Sequence, residues 1–93
     1  MWILRSSELA TTFRLRTGAV KTVGRAPRAD FIVDAALVSR LHCRLTATAD
    51  NLEVVDLKST NGTFVNGKRV TKGHLADGDT LRVGRVELKA QRS

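Results

Sequence analysis

The sequence has 93 residues, with 16 lysines and arginines against 9 aspartates and glutamates, a formal charge of +7. That length holds one small domain, residues 1–93, and 42% apolar residues suffice to build its core. A single cysteine, Cys43, excludes an intramolecular disulfide framework and any cysteine-cluster zinc site.

No apolar run approaches the ~20 residues that span a bilayer. The opening Met1-Trp2-Ile3-Leu4-Arg5 lacks the basic head and long apolar stretch of a secretory signal. The expectation is a soluble intracellular domain without a membrane role, whose excess charge suits an anionic partner. The cations are dispersed from Arg5 to Arg92, so no basic tail or charge block divides the chain.

In chain order, Ser6–Arg16 is the one segment that competes as a helix, and its Thr11-Thr12-Phe13 argues against it. Val20–Val23 and Phe31–Val33 are short apolar runs set between loops. Residues 41–48 alternate: Leu41, Cys43, Leu45 and Ala47 share one face, and His42, Arg44, Thr46 and Thr48 the other. That period of two predicts a half-buried strand. Asp50-Asn51 then turns the chain into a second strand, Leu52–Leu57.

Thr63–Val65 and Lys68–Val70 flank Asn66-Gly67, a pair that tolerates positive φ at both centres of a type I′ hairpin turn. Leu81 and Val83 are apolar at odd positions, and Val86, Leu88 and Ala90 at even ones. The slip at Gly84-Arg85 predicts a tight turn between two strands. Short strands and frequent turns predict an all-β sandwich or barrel, with the sandwich favoured.

Loops carry the chemistry in such a fold. Three stand out: Gly24–Asp30, Ser39–His42 and Lys58–Thr63. Together they offer guanidiniums, hydroxyls, an amide side chain and a glycine backbone. Those are the donors that a tetrahedral oxyanion needs: arginine for charge and bidentate geometry, hydroxyls and backbone N–H for the remaining oxygens.

The ordered set Gly24-Arg25, Ser39-x-x-His42 and Asp56-Leu57-x-Ser59-Thr60-Asn61-Gly62-Thr63-x-Val65-Asn66-Gly67 resembles the forkhead-associated (FHA) domain. The resemblance runs from about residue 20 to about residue 90, and the family is one of the arginine-based readers of phosphorylated motifs. It implies an eleven-stranded β-sandwich whose loops, at one end, bind phosphothreonine peptides in Ser/Thr kinase signalling without catalysis, cofactor or metal. Carried over by motif, Arg25 and Ser39 bind the phosphate oxygens, and Arg40 adds a phosphate or peptide contact. Thr60 lies against the phosphothreonine, and Asn61 bonds the peptide backbone. Gly24, His42 and Gly62 are implied as scaffold, the histidine bracing the loops.

Specificity for the third residue after the phosphothreonine is implied to rest on Ala36, Leu37 and Val38, an apolar stretch. The compartment is cytoplasmic for a bacterial member and nuclear for a DNA-repair adaptor of the same family.

Three further readings weigh against this one. The +7 charge suggests nonspecific nucleic-acid binding, opposed by the dispersed cations and the absence of tyrosine. Ser39, His42 and Asp56 suggest a hydrolytic triad, but no nucleophile elbow or oxyanion-hole glycine run accompanies them. His74 has no ligand-spaced partner, and the chain lacks the donors of a metal site. Cys43 belongs to an apolar strand face, which predicts packing and not reactivity. Arg28 extends the basic rim or serves no purpose in binding.

Overall fold

The computed structural model describes residues 1–6 and 8–93. Among them the alternating segments form β1 (Trp2–Ser6), β2 (Thr11–Leu15), β3 (Val20–Gly24), β4 (Phe31–Ile32), β5 (Cys43–Ala47) and β6 (Leu52–Asp56). The remaining strands are β7 (Thr63–Val65), β8 (Lys68–Val70), β9 (Lys72–Leu75), β10 (Thr80–Val83) and β11 (Val86–Arg92). They build a six-stranded sheet in the order β2-β1-β11-β10-β7-β8 and a five-stranded sheet in the order β4-β3-β5-β6-β9. No helix occurs among the described residues.

The period of two decides which side chains meet between the sheets. On β5, Cys43, Leu45 and Ala47 are buried while Arg44 faces solvent. On β11, Val86, Leu88 and Ala90 do the same between exposed Glu87 and Lys89. Trp2, Leu4, Leu15, Leu52, Val54, Leu75 and Leu81 complete the core from both sheets. Trp2 also pins the layers together, because its indole N–H donates 2.9 Å to the Thr48 carbonyl beyond β5. A buried indole without that acceptor would carry an unsatisfied donor.

Both predicted hairpins form. Asn66 and Gly67 take φ of 49° and 80° between β7 and β8, the positive pair that a type I′ turn requires. Gly84 takes φ 60° between β10 and β11, where Val83 pairs with Val86 across a two-residue turn.

Differences from the sequence reading have local causes. The strand read over 41–48 is shorter, Cys43–Ala47, because the chain turns through Ser39–Leu41, where the Arg40 carbonyl packs on Gly24. The strand read over 52–57 stops at Asp56, since the chain turns at Lys58 with φ 59°. The segment at Thr11–Leu15 is a strand, as its β-branched threonines favour. Edge strand β9 has no apolar alternation; its register comes from β6, with Glu53 3.8 Å from both Lys72 and His74.

Adjacent positions on β5 give a direct test of this inside-out pattern. Leu45→Ala should cost about 3 kcal/mol in chemical denaturation, as large-to-small core changes do. Arg44→Ala should stay within about 0.5 kcal/mol.

Candidate functional site

The three chemistry-bearing loops converge at one end of the sandwich. Backbone bonds join the first two: Arg25 N–H donates 3.0 Å to the Ser39 carbonyl, and Ala26 N–H donates 3.1 Å to that of Arg40. Gly24 permits this approach, because a Cβ there would stand 2.0 Å from the Arg40 carbonyl oxygen. The Arg25 guanidinium is anchored through Nε, which donates 3.2 Å to the Val38 carbonyl, and remains exposed.

The second and third loops meet through side chains. Thr60 N–H donates 3.0 Å to Ser39 Oγ, so the serine hydroxyl keeps its own proton for another acceptor. Asn61 Nδ2 donates 3.0 Å to the carbonyl of Leu37. Beneath both lies His42, with 0% of its surface exposed. Its Nδ1 accepts from Ser39 N–H at 3.0 Å, so Nε2 carries the proton and donates to the Gly62 carbonyl at 2.8 Å. Each ring nitrogen therefore holds one loop.

Asp56 organises the third loop from within. Its carboxylate accepts from the Ser59 hydroxyl, from Ser59 N–H at 3.1 Å and from Thr63 Oγ1 at 2.7 Å. Ser59 Oγ in turn accepts from Gly62 N–H at 3.0 Å. Partial burial works against the ionised form of Asp56. The hydrogen bonds from Ser59 and Thr63 outweigh it and hold the carboxyl below its ordinary range. Cys43, on the neighbouring strand, is buried, and burial aided by the Asp56 charge pushes its thiol up to about 12. That thiol packs and stays protonated.

Arg25 and Arg40 lie along one groove of about 880 Å³, lined also by Ala26, Pro27, Arg28, Ile32 and Asp34. Arg28 thus extends the basic rim, giving three guanidiniums against one carboxylate. Ser39, Thr60 and Asn61 adjoin that groove through the loop–loop bonds and do not line it.

Of the apolar stretch expected to face a ligand, Val38 is 3% exposed and belongs to the core. Only Ala36 and Leu37 are exposed, because the chain turns at Leu37 with φ 71° and drives the next side chain inward. Leu37 holds a backbone conformation that branched and bulky residues seldom adopt.

Ser39, His42 and Asp56 do not form a triad. His42 takes the backbone N–H of residue 39, and Asp56 is engaged by Ser59 and Thr63. His74 is exposed beside Glu53. The sequence reading assigned no role to the Asp56–Ser59–Thr63 bonds. Their signal was the carboxylate three residues ahead of a serine, the pattern of a side-chain-capped turn.

Fold and loops together define an all-β scaffold that presents a hydrogen-bonded, arginine-rich loop cluster at one end. The FHA domain family model matches residues 21–84, and the chain belongs to that family. FHA domains bind phosphothreonine peptides. The chain is 43% identical over 95% of its length to an ABC transporter ATP-binding/permease protein of Mycobacterium tuberculosis, of which it spans 10%. It is 37% identical over 75% of its length to the glycogen accumulation regulator GarA of the same organism, spanning 43% of it.

Among solved structures, one from a study of phosphothreonine-dependent FHA domain interactions superposes with a TM-score of 0.90 at 33% identity. That match covers 99% of this chain and 96% of the other. The FhaA FHA domain, complexed with the intracellular domain of another protein, matches with a TM-score of 0.89 at 34% identity. There, 98% of this chain and all of the other are covered.

Two measurements test the geometry of the loops. Gly24→Ala should destabilise the domain by about 3 kcal/mol or more, because backbone must move to admit the methyl group. With a folded-state Asp56 carboxyl below the unfolded value of about 3.9, its contribution is complete above that value and is lost as pH falls through the folded one. Acid denaturation of Asp56→Asn should therefore show a shallower loss of stability below about pH 4 than the parent.

Proposed function

We propose that residues 1–93 act as one phosphothreonine-dependent interaction module in Ser/Thr kinase signalling, whose partner is a threonine-phosphorylated protein. The observation that carries this reading is the junction at Ser39. Its hydroxyl, fixed by Thr60 N–H, has a proton to donate, one residue from the Val38 carbonyl that anchors Arg25. A dianionic phosphate there receives the Arg25 fork, the Ser39 hydroxyl and the Arg40 charge.

Thr60 takes the position against the threonine methyl. Asn61 takes the peptide backbone through Oδ1 and the second Nδ2 proton, the first being held by Leu37. Gly24, His42 and Gly62 set the loops and do not touch the ligand. The module performs no catalysis: the one histidine at the site spends both nitrogens on structure. It needs no cofactor or metal, since the ligand's charge is met by arginine.

Calorimetric titration with a matched pair of peptides tests the reading. The phosphothreonine form should bind and the unphosphorylated form should not; equal affinities overturn it. Arg25→Ala should lower affinity by about a hundredfold while thermal stability shifts by no more than about 1 kcal/mol. Affinity for the parent should also weaken as pH falls through about 6, where the phosphate loses its second charge.

A further inference from the structure

The alternation on β7 places Thr63 and Val65 inward and Phe64 outward, on the solvent face of the six-stranded sheet. Phe64 lies directly opposite Arg82 on one side and Arg69 on the other. The Arg82 guanidinium carbon sits 4.1 Å from the centroid of the Phe64 ring, a cation–π stack. Arg69 leans back towards the loops: its Nε and Cζ stand 2.8 and 3.0 Å from where a Cβ on Gly62 would be. Its charge therefore abuts the residue that follows Asn61. Contacts run without a break from Arg25 through Val38, Leu37, Asn61 and Gly62 to Arg69.

Charge is divided unevenly between the two outer faces. On the six-stranded sheet Arg5, Arg14, Arg69, Arg82 and Lys89 point outward against Glu87 alone. On the five-stranded sheet Arg44 and Lys72 are partly offset by Glu53, which pairs with Lys72 at 3.8 Å and leaves one surplus cation. Arg5 and Lys89 share a groove with Glu8 and Glu87. At the β10-β7-β8 end, Arg69 and Arg82 share a register row with Phe64 and with Glu87, the one carboxylate of that face. Although Glu87 faces Arg82 in register, the guanidinium lies over Phe64, and no carboxylate of the described residues is within 4.0 Å of Arg82 or Arg69.

A solvated surface arginine is ordinarily free to sample rotamers. Arg82 is held on an aromatic ring, so less of its side-chain entropy is lost when an anion binds, and Arg69 packs beside Gly62 at the loop end of the same row.

We infer that Arg69, beside Gly62, and Arg82, stacked on Phe64, form a second contact strip that takes acidic residues flanking the phosphothreonine of the bound partner. The inference rests on the phosphothreonine reading and adds to it the chemistry of the partner's flanking sequence. An acidic polypeptide suits the strip better than a nucleic acid, because the ring face that a base would stack on is covered by Arg82.

The test uses one phosphothreonine peptide from an oriented library, synthesised with glutamate or glutamine flanks on each side. For the parent, the glutamate peptide should bind about five- to tenfold more tightly, the sum expected of two exposed ion pairs. In Arg69→Gln/Arg82→Gln that ratio should fall to about one to two, with Arg69→Lys/Arg82→Lys restoring most of it. Arg5→Gln/Arg14→Gln, which removes equal charge from the opposite edge of the same sheet, should keep the parent ratio. A ratio that drops equally in both glutamine pairs overturns the strip in favour of a diffuse charge effect. So does an unaltered ratio in the Arg69/Arg82 pair, and loss of binding to a single-stranded oligonucleotide in that same pair would make the strip a nucleic-acid surface instead. If neither phosphopeptide binds the parent, the phosphothreonine reading itself falls; if both bind with a ratio of one, only the strip does.

Discussion

One imidazole holds the binding end together. His42 is fully buried and bonds Ser39 N–H through one nitrogen and the Gly62 carbonyl through the other. The Gly62 carbonyl would otherwise be a buried polar atom without a partner, at a cost of about 1–3 kcal/mol. The imidazole ties the second loop to the third, which side-chain contacts also join. Ser39 Oγ accepts from Thr60 N–H and Asn61 Nδ2 donates to the Leu37 carbonyl beside residues 39 and 62, which the ring holds on either side. The ring accepts on one edge and donates on the other, one bond to each loop.

The sandwich supports that junction by exclusion. Core side chains from both sheets fill the interior, so the loops at the end are left with polar contacts of their own. Asp56 shows the consequence. At the last residue of β6 it serves no core purpose, and its carboxylate instead gathers Ser59 and Thr63 into a turn that presents Thr60 and Asn61 outward. The bonds that make the turn rigid also keep the carboxylate ionised. Local order and electrostatics therefore share one cause. Gly24 works in the opposite way, by lacking atoms where the Arg40 backbone passes.

The net charge acquires meaning only with position. As a total, +7 suits any polyanion. In space, the five-stranded face is close to balanced, while the loop groove and the six-stranded face carry the surplus. Charge at a groove with hydrogen-bond donors beside it discriminates by geometry. Charge spread over a sheet mainly raises encounter rates.

Much of this protein was determined by local sequence. Alternation over Leu41–Thr48 and Leu81–Ala90, the Asn66-Gly67 pair and the phase slip at Gly84 required short strands and tight turns, because side-chain direction and positive φ are properties of neighbouring residues. The loop motifs likewise marked Arg25, Ser39, Arg40, Thr60 and Asn61 as candidates. What the chain could not show locally was pairing across distance. Edge strand β9 takes its register from β6, Val38 turns inward after the left-handed Leu37, and His42 is buried even though its strand face alternates with the apolar one. Arg69 and Arg82 are far apart in sequence and become neighbours of a single ring only when β8 and β10 flank β7. Those outcomes depend on which strands lie side by side, a choice made by burying two sheets against each other and by no residue acting alone.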